Sequence, residues 1–130
     1  LAVGDITGDD VPDVLRATDK GFEILEAQGQ SFKPRALPSG LDYSGVSQIL
    51  MEDLNNDCRV DVVLVRPAGS HVLYNLGGGA LKVAEIKGNS NARGSSATVA
   101  DVDGDGISDL VFAGETGAPD VGAYWVRQVP

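Results

Sequence analysis

An all-β fold is what this sequence predicts, and three observations predict it. The apolar runs are short, the longest being the four-residue runs 62–65, 110–113 and 123–126. They are rich in Val, Ile and Leu, with Gly or Pro recurring near their ends, which is the pattern of strands and not of helices. Gly supplies 17 of the 130 residues, about twice the usual ~7%, as a chain that turns every few residues requires. Finally, an Asp-rich segment of nine residues recurs as Asp5-Ile-Thr-Gly-Asp-Asp-Val-Pro-Asp13, Asp53-Leu-Asn-Asn-Asp-Cys-Arg-Val-Asp61 and Asp101-Val-Asp-Gly-Asp-Gly-Ile-Ser-Asp109, with first residues 48 apart in both intervals.

Each copy is framed in the same way. Apolar residues 1–3, 49–51 and 97–100 precede the three segments, and residues 14–15, 62–65 and 110–113 follow them. These pairs predict first and second strands joined by the Asp-rich segment as a loop. A third strand follows a Gly-containing turn at 22–26, 71–75 and 122–127; in the last unit it comes late, behind an insertion around 115–120. Fourth strands are predicted only in the first two units, at 32–37 and 81–86. Pro34 within the first of these, and Pro38 after it, lack the N–H that a sheet ladder uses, so this strand belongs at an edge. Residues 46–66 contain no Gly or Pro, but Asn55-Asn56-Asp57 and the β-branched run after it break a helix there.

Four short antiparallel strands in a unit of about 40–50 residues are the signature of a propeller blade. The prediction is therefore about three four-stranded blades, the last incomplete, in repeats 1–48, 49–96 and 97–130. A β-sandwich with a fortuitous likeness between its loops is the competing architecture, and the equal spacing of three copies counts against it. Closed propellers have about 4–8 blades, so these residues are expected to be part of a larger propeller or to be completed by association with another copy. Because both ends interrupt the blade pattern, the part-propeller is the preferred expectation.

The charge narrows the partners. Nineteen acidic against 10 basic residues give a net charge of −9, which repels nucleic-acid phosphates and anionic membrane surfaces. No apolar run approaches the ~20 residues of a membrane span or the ~7 of a secretion signal's core. Asp outnumbers Glu 14 to 5, and Asp is a residue of turns and metal sites more than of helix surfaces. The lone Cys58 can form neither an internal disulfide nor a multi-thiolate zinc site.

Within each segment, side-chain oxygens stand at positions one, three, five and nine: Asp5, Thr7, Asp9 and Asp13; Asp53, Asn55, Asp57 and Asp61; Asp101, Asp103, Asp105 and Asp109. In a tight loop, alternate residues turn toward one centre, and the position-seven carbonyls of Val11, Arg59 and Ile107 can join them. Calcium takes six to eight such hard oxygens at about 2.3–2.6 Å, whereas magnesium demands a tighter octahedron, and no His or Cys donor invites zinc or copper. An EF-hand is excluded, because it needs a Glu at position twelve, where Arg16, Leu64 and Phe112 stand. A single loop of this kind can equally be an Asp/Gly turn whose carboxylates cap backbone amides. Three in register, crowding like charges that need a counter-ion, favour up to three calcium ions. A sharp turn at position six favours Gly; only the third loop has it, as Gly106, whereas the others carry Asp10 and Cys58. The third loop is thus expected to bind most tightly.

These features resemble the FG-GAP or VCBS-type repeat of integrin α-subunit propellers and many secreted proteins. The resemblance rests on Val102-Asp-Gly-Asp-Gly-Ile-Ser-Asp-Leu-Val-Phe-Ala-Gly114, with Gly117-Ala-Pro119 shortly after it, and on the two degenerate copies. It implies blades whose Asp-rich loop joins the first and second strands and binds calcium through the twelve side chains named above. It does not imply an activity. His71 is the only His, no nucleophile or metalloprotease motif is present, and residues 76–79 lack the Lys-Ser/Thr of a phosphate-binding loop, so no catalytic residue is assigned. Only Tyr124-Trp125 resembles a sugar-stacking platform, and strand alternation turns just one of the two outward. The functional expectation is a calcium-stabilised scaffold of a secreted, cell-surface or periplasmic protein that binds a protein or glycan. The alternative is a portion of a carbohydrate-active enzyme such as a polysaccharide lyase.

Overall fold

A computed structural model describes residues 1–86, 96–113 and 123–126. Among the described residues there are eleven strands and no helix: β1 (Ala2–Gly4), β2 (Asp13–Thr18), β3 (Gly21–Gln28), β4 (Ser31–Arg35), β5 (Gln48–Glu52), β6 (Asp61–Val65), β7 (His71–Gly77), β8 (Ala80–Glu85), β9 (Ser96–Ala100), β10 (Asp109–Ala113) and β11 (Ala123–Val126). Each predicted strand is present. The expected insertion around 115–120, the Gly117-Ala-Pro119 stretch and the facing of Tyr124 and Trp125 lie outside what the structure describes.

The strands form antiparallel meanders of blade type, β1-β2-β3-β4, β5-β6-β7-β8 and β9-β10-β11. Registers in the first two sheets correspond at the 48-residue spacing: Val14 lies opposite Leu25, and Val62 opposite Leu73. As Pro34 requires, β4 pairs with β3 alone, and its residues are largely exposed. The first strands approach one another, with β5 packing against both β1 and β9. The sheets therefore fan out from a shared inner edge.

Stability sits in the two seams between sheets. Ile6, Leu15, Phe22 and Ile24 of the first unit bury themselves against Val62, Leu64 and Leu73 of the second. On the other side of the second sheet, Val63, Val65 and Val72 pack with Leu54, Leu110 and Phe112. Successive strand residues point to opposite faces, so β6 feeds both seams and all five of its residues are buried. That is the reason for its unbroken apolar run, where a strand covered on one face alternates.

Polar contacts cross the seams as well. The Asn75 amide donates to the Ile6 carbonyl at 3.1 Å, Arg35 is ion-paired with Glu26 and donates to the Gly79 carbonyl, and the Ala97 N–H donates to the Gln48 side chain at 2.7 Å. Between the first two sheets, Tyr43 stacks on Phe22 with ring centroids 6.1 Å apart, and its hydroxyl donates to the Pro38 carbonyl.

The outward faces differ from the seams. Arg16 stands where Leu64 and Phe112 stand in the later units, and it pairs on the surface with Glu23 at 3.2 Å. Val3 is 61% exposed on that face. At the other end, Val102 is 46% exposed, although its counterparts Ile6 and Leu54, each second in its loop, are 0% and 1% exposed beneath the neighbouring sheet.

Candidate metal centre

The three Asp-rich loops connect β1 to β2, β5 to β6 and β9 to β10, all on one side of the fan. Their geometry starts from the ninth residue. Asp13, Asp61 and Asp109 open the second strands and are fully buried. Each accepts the amide of its loop's second residue at 3.0 Å, from Ile6, Leu54 and Val102 respectively. In the first two units the other carboxylate oxygen accepts an amide of the third strand, from Ala27 at 3.1 Å and from Asn75 at 2.8 Å. The position-nine carboxylate therefore ties the loop, the second strand and the third strand together.

The first residue organises the turn. Asp101 accepts the amides of Gly104, Asp105 and Gly106; Asp5 does the same for Gly8, Asp9 and Asp10, and Asp53 for Asp57 and Cys58. Desolvation of Asp5 is outweighed by the amides of Asp10, Gly8 and Asp9, which hold its carboxyl below the usual range. At Asp61 the balance is reversed: burial, with the charges of Asp57 and Asp53 adding to it, pushes the carboxyl up against the amides of Asn75 and Leu54.

Such a turn needs left-handed backbone at position six, and all three loops have it: φ is 65° at Asp10, 65° at Cys58 and 86° at Gly106. Position four is left-handed too, at Gly8, Asn56 and Gly104. Only the third loop places Gly at both. A side chain held there costs about 1–3 kcal/mol, so Cys58→Gly is expected to raise the unfolding free energy by roughly 1 kcal/mol, read as a higher urea midpoint.

The third loop gathers charge. One carboxylate oxygen from each of Asp101, Asp103 and Asp109 lies within 4.8 Å of the others, and no other trio of His, Cys, Asp or Glu converges in this way among the described residues. Two oxygens facing each other across a calcium ion stand up to about 5 Å apart, so the trio has the span of half a coordination shell. Asp105 lies outside it and accepts the Ile107 amide at 2.9 Å. In the first loop Thr7 replaces Asp103 and turns its hydroxyl to Asp5 at 3.4 Å. In the second, Asn55 donates to Asp57 at 3.2 Å.

Asn75 is a residue that reasoning from the loops alone overlooks. It is buried, and its side chain donates to both Ile6 and Val60 carbonyls while accepting the Gly77 amide at 3.0 Å. A polar residue on the same inward face as Leu73 is its signal in the sequence. Beside it, between the first and second loops, opens a cleft of about 560 Å³ lined by Asp5, Asp10, Arg59, Asn75 and Gly77 among others.

No curated protein matches the chain. Residues 53–112, which run from the first residue of the second loop through the third loop to Phe112 on β10, match the sequence profile described as FG-GAP-like repeat. With blade-type sheets joined to Asp loops spaced 48 residues apart, this segment is similar to an FG-GAP-like repeat in both sequence and architecture.

Proposed function

We propose that the chain is a calcium-stabilised portion of a β-propeller, divided into units 1–48, 49–96 and 97–130, from a protein of the cell surface, the periplasm or the extracellular space. The observation that carries the reading is the convergence of Asp101, Asp103 and Asp109. Three carboxylates this close repel one another unless a cation lies among them, and the donors are all hard oxygens suited to calcium. Gly104 and Gly106 let the loop turn without backbone strain. The Ile107 carbonyl and Asp105 complete the donor set of this loop. In the first loop Asp5, Asp9, Asp13 and the Val11 carbonyl form a weaker set around neutral Thr7.

Two features support a scaffold role. Val102 is exposed where Ile6 and Leu54 plug into the next sheet, so a further blade, in cis or from another copy, is its natural cover. The cleft between the first two loops, with Asp5, Asp10 and Arg59 in its lining, offers a protein or glycan ligand both charge signs on one surface.

Melting the chain in millimolar calcium and in chelator tests the metal claim, since a ligand that binds only the folded state stabilises it by mass action, by about 2.7 kcal/mol at a hundredfold excess over Kd, and so raises the midpoint. Calcium is expected to raise the midpoint by several degrees, and Asp103→Asn is expected to remove most of that rise. Equal midpoints for the unsubstituted chain in the two conditions refute it.

A further inference from the structure

We infer that Arg59 is the resident counter-ion of the second loop, which folds around its own guanidinium where the third loop gathers carboxylates for a divalent cation. The second loop departs from the third at the residues that would hold an ion. Position seven, which is uncharged as Val11 and Ile107 in the other loops, is Arg59 here, and its Nη1 lies 3.0 Å from Oδ2 of Asp57 at position five. The same oxygen accepts the Asn55 amide at 3.2 Å, and the other accepts the Arg59 N–H at 2.9 Å. Both oxygens of Asp57 are thus engaged within the loop.

Asn55 is turned the same way. Its oxygen accepts the Asp57 N–H at 3.2 Å, as Asp103 accepts that of Asp105 in the third loop, but its amide group also donates to the Asp57 carboxylate at 3.2 Å, a contact that a carboxylate at this position cannot make. An independent feature lies on the next hairpin. A Cβ on Gly77, at the bulge of β7, would come within 3.1 Å of the Arg59 Nε. The bare backbone there leaves the lane along which the guanidinium runs. The residues of the second loop therefore do not fit calcium as those of the third do, although the resemblance assigned it Asp53, Asn55, Asp57, Asp61 and the Arg59 carbonyl.

The contrast rests on the calcium reading of the third loop, and the experiment separates the two. Calcium titration of the chelator-stripped chain by calorimetry is compared for the unsubstituted protein, Asp57→Asn and Asp103→Asn. Asp103→Asn is expected to lose one calcium equivalent, and Asp57→Asn to keep the full number at unchanged affinity. In parallel, urea unfolding in chelator is measured for Asp57→Asn, Arg59→Gln and the double variant. Each single change is expected to lower the folding constant about two- to fivefold, the range of an exposed ion pair, and the double variant by no more than either alone. Loss of a calcium equivalent in Asp57→Asn overturns the inference, as does strict additivity in the double variant. If the unsubstituted chain takes up no calcium, the function proposed for the third loop fails, and the unfolding cycle alone decides the role of Arg59.

Discussion

Replacing Leu64 by Ala is expected to lower the unfolding free energy by about 2–5 kcal/mol, read as a fall in urea midpoint at unchanged slope. Leu64 is completely buried in the seam between the first two sheets, beside Leu15, Ile24 and Leu73. A repeat array draws its stability from intrinsic units plus nearest-neighbour interfaces, and the middle sheet is the one that has a neighbour on both sides. Shortening Leu64 opens a cavity that β6 cannot close, because the opposite face of the strand is pinned by Val63 and Val65 in the other seam. Val14→Ala, on the half-buried outward face of β2, is the control and is expected to cost no more than about 1 kcal/mol. Equal losses at the two positions would show that the seams are not where the stability lies.

The sequence itself distinguishes these two faces. Arg16 occupies in the first unit the place of Leu64 and Phe112, and a charge is tolerated there because none of the described sheets packs on that face and Glu23 lies across the strand pair. The same fact explains where strand prediction fell short. The expected second strand at 14–15 extends to Thr18, since Arg16 interrupts the apolar run on the outward face, yet the backbone from Arg16 to Thr18 still pairs with β3. Where both faces are covered, at Asp61–Val65, the apolar run nearly coincides with the strand.

Legibility of the loops follows a similar division. Spacing revealed the alternation of oxygens, and the steric demand at position six anticipated the left-handed Asp10, Cys58 and Gly106. Local pattern could not reveal interactions that depend on tertiary closure. Asp13 and Asp61 accept amides 14 residues further on, on the third strands, and Asn75 bridges to Ile6 across 69 residues. Nor does composition show that Arg59 bends back onto Asp57, because a lone basic residue in an acidic loop reads as a solvated charge until its partner is placed.

Asp61→Ala carries the second large expected effect, a loss of roughly 2–5 kcal/mol, because two buried amides, those of Leu54 and Asn75, lose their acceptor. Asp61→Asn keeps one acceptor oxygen and is expected to lose about half as much. The pH dependence separates this structural role from a simple charge effect. Burial, joined by the charges of Asp57 and Asp53, raises the Asp61 carboxyl above 3.8 against the pull of the two amides. A raised folded value means that the folded chain binds the proton more tightly than the unfolded chain does. The contribution of this group is then fully present below about pH 3.8 and is lost as pH rises through the raised value. In chelator, the deficit of Asp61→Asn relative to the unsubstituted chain is therefore expected to widen as pH falls from neutrality toward 4, since the variant cannot take up that proton. A deficit that narrows on acidification would mean that the amides outweigh burial and that Asp61 is held as a carboxylate. In that case the position-nine residue would act in the folded chain as a preformed anion, tethering the loop to the third strand through its charge.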